Sequence, residues 1–69
     1  MDEIQKLRVL LPHWIEHNGE HAQEFREYAE RSGETKDRLL AAAQLLEEAN
    51  ARLREALVEL GGSLEHHHT

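Results

Sequence analysis

The chain has 69 residues, with 14 Asp and Glu against 8 Lys and Arg, no cysteine and a formal net charge of -6. A chain this short makes one domain at most and buries too little surface to be comfortably stable alone; without cysteine, disulfides and thiolate metal sites are excluded, which leaves self-association or a metal held by other ligands. The acidic balance argues against a nucleic-acid partner, and no apolar run approaches the roughly 20 residues of a membrane span.

The start, Met1-Asp2-Glu3, has none of the basic-then-apolar character of a signal segment, so the expected location is cytoplasmic. Asp2 with Gln5 three residues later forms an acidic variant of the capping box, and Ile4, Leu7 and Leu11 recur at helical spacing behind it. Pro12 lacks an amide hydrogen and clashes with the preceding turn, which predicts a restart or sharp kink there and a short N-terminal helical segment before it.

From Pro12 to Arg31 the apolar positions Trp14, Ile15, Ala22, Phe25, Tyr28 and Ala29 share one face, as in a long amphipathic helix. Trp14 and Tyr28 read as core fillers rather than substrate platforms. Gly19 weakens this helix by about 1 kcal/mol relative to Ala, which points to something packed close against it.

Ser32-Gly33-Glu34-Thr35 is the internal segment with turn chemistry, Gly33 suiting a left-handed helix end and Thr35 the N-cap of a second helix. So short a connection makes the two long helices antiparallel neighbours. In the second helix, roughly Lys36 to Leu60, Leu39, Leu46, Leu53 and Leu60 recur every seven residues with Ala42, Ala49 and Ala56 between them. Leu57 and Ala43 widen that stripe beyond one helix contact, so a partner hairpin is implied. The expected fold is all-α: a helical hairpin that self-associates into a four-helix bundle, most simply a homodimer. Gly61-Gly62 ends the helix, and residues 64–69 read as a purification-tag remnant, which leaves residues 1–63 as the domain.

The most informative feature is His13, His17 and His21, spaced i, i+4, i+8 on the first long helix. Adjacent members lie one above the other, so a pair can chelate a metal through two imidazoles, and His17 with His21 is the better pair. Imidazole suits zinc, copper, nickel and iron, and the expected cofactor is a divalent transition metal such as nickel, zinc, copper or cobalt.

Asn18 falls near the centre of the apolar face, and a buried amide needs hydrogen-bond partners. Folding about Gly33 brings residues whose numbers sum to about 67 or 68 to one height, which sets Asn18 against Asn50, with His17, His21 and Glu47 at the same level. That layer reads either as a metal site of His13, His17, His21 and Glu47, or as a polar layer of Asn18 and Asn50 that specifies pairing. Glu24, near His21, is a candidate ligand or orienter of that ring.

The Glu-x-x-His pairs of dinuclear carboxylate sites are missing, as are a nucleophile with a base and a glycine-rich phosphate loop, so an enzyme is disfavoured. The functional expectation is a metal-binding bundle for storage, sensing or delivery. The alternative is a metal-free homo-oligomerisation module.

The run Leu10-Leu11-Pro12-His13-Trp14-Ile15-Glu16-His17-Asn18, continuing through His21-Ala22 to Phe25, resembles a short histidine-rich helical-hairpin domain of uncharacterised function from anaerobic bacteria and archaea. The later pattern ending at Asn50 fits the same resemblance. Such domains stand alone or beside small nickel-binding accessory proteins of the carbon-monoxide-dehydrogenase maturation type. The resemblance implies that positions 13, 17, 18 and 21 are the motif positions and raises a metal role without naming the metal.

Overall fold

In the computed structural model, which describes residues 2–64, two helices pack against each other across a tight turn. Residues 65–69, most of the expected tag remnant, lie outside the described residues.

The first helix, α1, runs Glu3–Ala29. Its start is the expected capping box: the Gln5 amide donates to Asp2 Oδ1 at 2.8 Å, and the Asp2 amide donates to Gln5 Oε1 at 3.4 Å. These bonds satisfy donors that a helix start otherwise leaves open.

Contrary to the expected restart, α1 passes through Pro12, and the short N-terminal segment is simply its first turns. Proline at position 12 removes the amide that would have bonded the carbonyl of Arg8, four residues earlier. That carbonyl instead accepts a hydrogen bond from the Leu64 amide at 3.3 Å. Arg8 also donates from its side chain, Nε to the Gly62 carbonyl at 2.6 Å and Nη2 to the Gly61 carbonyl at 3.2 Å. Through Gly61, Gly62 and Leu64, the last of them the first residue of the expected tag remnant, the segment after the second helix therefore serves the first.

At the other end, the Ser32 amide and hydroxyl both donate to the Ala29 carbonyl, and a single 3-10 turn, Gly33–Thr35, leads into α2, Lys36–Glu59. Gly33 has φ +61°, the left-handed conformation that its sequence position suggested. Thr35 is the N-cap residue but does not cap through its side chain; its hydroxyl donates to the Ser32 carbonyl at 3.3 Å. Helix α2 closes with a Schellman motif: the Gly62 amide donates to the Leu57 carbonyl and the Gly61 amide to the Val58 carbonyl.

Leu11, Ala22 and Ala29 of α1 and Ala43 of α2 are buried along the contact line, together with one polar residue, Asn50. No large side chain is fully buried among the described residues, so the seam is narrow. Leu7, Phe25, Leu39, Leu46, Leu53 and Leu57 are half-buried. Trp14 is 43 % and Tyr28 61 % exposed, so within one hairpin they do not fill the expected core. Tyr28 instead carries the Arg31 guanidinium over its ring at 4.9 Å.

Candidate functional site

The best-defined polar feature is the amide pair at mid-height. Asn18 Nδ2 donates to Asn50 Oδ1 at 3.1 Å, and Asn50 Nδ2 donates to the Ile15 carbonyl at 2.9 Å. Asn50 is 3 % exposed and Asn18 half-buried. The pairing follows from the equal rise of both helices from the turn, as the residue numbers indicated. A buried amide left without partners costs on the order of 1–3 kcal/mol, so sliding one helix past the other would be penalised.

Gly19 lies beside this pair, yet a Cβ added there would stand 3.9 Å from Asn50 Nδ2, an ordinary contact. Close packing therefore does not demand glycine at position 19.

The histidines lie elsewhere on α1. His13, His17 and His21 are all exposed. His17 Nδ1 is 3.3 Å from Glu20 Oε1, and His21 Nδ1 is 3.1 Å from Glu24 Oε1, so each of the two rings is matched to a glutamate three residues further along. His21 also stands beside Phe25, with ring centroids 6.5 Å apart. The spacing had singled out Glu24 as a neighbour of His21. The equivalent Glu20 for His17 was readable from the same i, i+3 offset and was missed.

Glu47 shares the height of the histidines but bonds Arg26: Arg26 Nε and Nη2 reach its two carboxylate oxygens, the former at 3.1 Å. The hydrogen bond from Arg26 is the main cause holding the Glu47 carboxyl below its ordinary value; desolvation opposes it and the guanidinium charge adds to it. The same contact raises the Arg26 guanidinium.

At about 100° per residue, Arg26 and His21 fall on opposite sides of the α1 line that faces α2. Glu47 and the histidines thus sit on opposite flanks of the hairpin. Among the described residues, no group of three or more His, Asp or Glu is gathered in a way that could hold a metal ion.

Among the described residues, one shallow concavity is lined by Glu34, Asp37, Arg38, Ala41, Ala42 and Leu45, and another by Arg54, Glu55, Val58 and Glu59. Neither contains a histidine or a residue of α1. Among the described residues, no helix is long and apolar enough to cross a membrane.

No curated protein and no solved structure matches the chain. A family model does, over residues 7–60, a span that takes in the amide pair, the histidines, the turn and nearly all of both helices. The chain belongs to that family, DUF8180, a domain of unknown function.

Proposed function

We propose that this domain is a homo-oligomerisation module, most simply a twofold dimer of hairpins forming a four-helix bundle, with the Asn18–Asn50 pair setting the register. The observation that carries the reading is an underfilled seam holding a satisfied polar pair. Asn50 is buried and bonded, while 43 % of Trp14 and 61 % of Tyr28 remain exposed to water. Apolar side chains in that state are stabilised by being covered, at about 25 cal/mol per Å² removed from water. A cytoplasmic, non-catalytic role suits this reading. Sedimentation equilibrium of tag-free protein should give the mass of two chains, with a thermal midpoint that rises with concentration. A single-chain mass at high micromolar concentration would sink it.

A different observation favours a second reading: His17 and His21 as a two-imidazole chelate for nickel, zinc, copper or cobalt, in storage, sensing or delivery. Each Nδ1 faces a glutamate, an arrangement that in metal sites fixes the ring and leaves Nε2 as the ligating nitrogen. The resemblance to histidine-rich hairpins found beside nickel-binding accessory proteins supports it as well. Two imidazoles supply half of zinc's usual four ligands, so water or another molecule must complete the shell. The check is the thermal midpoint of tag-free protein with each metal, beside a variant carrying His17→Ala and His21→Ala. A metal-specific rise lost in the variant is expected, and equal behaviour of the two proteins would remove this reading.

A further inference from the structure

We infer that the second copy docks on one particular face of the hairpin, related by a twofold axis parallel to the helices, so that the α1 ridge of Trp14, His21 and Tyr28 enters the α2 alanines Ala56, Ala49 and Ala42 of the other copy. This rests on the self-association proposed above and specifies its geometry.

Trp14, His21 and Tyr28 follow one another at seven-residue intervals, and so do Ala42, Ala49 and Ala56. Such a series drifts by only about 20° per step, so each forms a near-straight row. On α1 the bulky row lies roughly 60–100° to one side of the buried line of Leu11, Ala22 and Ala29, taking about 100° per residue. On α2 the alanine row, with Leu46 and Leu53 inside it, is turned from Ala43 and Asn50 in the same rotational sense.

In an antiparallel pair of right-handed helices, equal rotational senses lie on the same side of the pair. The other flank provides an internal control. Arg26 and Glu47 are both turned in the opposite sense, and they meet. One face is therefore clasped by that ion pair, while the opposite face carries a bulky row beside a row of small residues.

The two rows also nearly coincide in height. By the count that pairs Asn18 with Asn50, Ala56, Ala49 and Ala42 lie two residues, about 3 Å, from the levels of Trp14, His21 and Tyr28, which is less than one helical turn. Rotation by 180° about the long axis keeps every height and exchanges the rows, so each large side chain of one copy meets the alanine of the other. A self-complementary face of this kind is what an isologous dimer requires. The hairpin extends 46 × 24 × 16 Å, which gives its broad face a footprint of about 1,100 Å², above the roughly 800 Å² per partner of a standard stable interface.

The described residues hold no cysteine, so single introduced thiols report contacts without background. His21→Cys and Ala49→Cys proteins would be mixed, allowed to exchange subunits and treated with a short bismaleimide. A covalent pair containing one chain of each variant is expected, and Tyr28→Cys mixed with Ala42→Cys should repeat the result if either central variant folds poorly. His21→Cys chains linking to one another, and not to Ala49→Cys, would place like rows together and overturn this geometry while leaving the dimer. A two-chain mass with no link in either mixture would overturn it too, whereas a single-chain mass would remove the self-association reading along with it.

Discussion

At Asn18 and Asn50 two short amides hold the middle of the hairpin in register, and the consequences of altering them differ sharply. Asn18→Ala leaves the buried Asn50 oxygen without its donor, and urea unfolding should show a loss of about 1–3 kcal/mol. Replacing both by leucine removes the unsatisfied group together with its partner, so stability should return toward wild type or exceed it while a uniform oligomeric mass is lost. If the single variant unfolds like wild type, the pair sets nothing.

Gly19 gives the opposite expectation. Its φ is not positive and a Cβ would meet only an ordinary contact, so Gly19→Ala should raise stability by about 0.4–1 kcal/mol. The Asn pair was legible from residue numbers because equal rise fixes height. Height says nothing about side, and for that reason the same arithmetic put Glu47 level with His21 without revealing that Arg26 holds it on the far flank.

Glu47 also has a pH signature. Its folded carboxyl is lowered from 4.5, so the stability it adds is present above that value and is lost as pH falls through the folded one. Glu47→Gln should be less stable than wild type at neutral pH, and the gap should close in acid. A gap independent of pH would assign the difference to packing.

The helices and their ends show where local reading holds and where it stops. The Asp2 capping box and the Gly33 turn are short-range devices, and both stand where the sequence put them. The restart expected at Pro12 does not occur, and the remedy for its missing amide lies far along the chain: the Arg8 carbonyl that it orphans is bonded by the amide of residue 64. Being a backbone bond, that remedy does not depend on which non-proline residue stands there.

Shortening the chain to end at Gly62 should therefore destabilise the wild-type protein more than it destabilises Pro12→Ala, in which the alanine amide can serve the Arg8 carbonyl itself. Equal losses in the two backgrounds would show that the coupling is absent. At the turn, Gly33→Ala meets no atom within 4 Å but must hold φ +61°, so strain alone should lower stability, by roughly 1–2 kcal/mol.

For the molecule as a whole, two helices enclose a line of alanines and one leucine, too little to explain a sequence so rich in leucine. The seven-residue repeat of α2 announced a surplus apolar face, but its counterpart on α1, Trp14 to Tyr28, reads from sequence as core for the hairpin itself. Only the exposure of each side chain in the folded hairpin separates what it covers from what it leaves open.

The Arg8 clasp on Gly61 and Gly62 fixes the beginning of α1 and the end of α2 at one pole, with the turn at the other. Under the lengthwise twofold, both copies present that pole in the same direction, so groups tethered at either end of the two chains would be drawn together like the tines of a fork. Under a crosswise twofold the same groups would be held apart by about the 46 Å length of the bundle. The orientation of one symmetry axis thus decides whether this small domain gathers its attachments or spaces them.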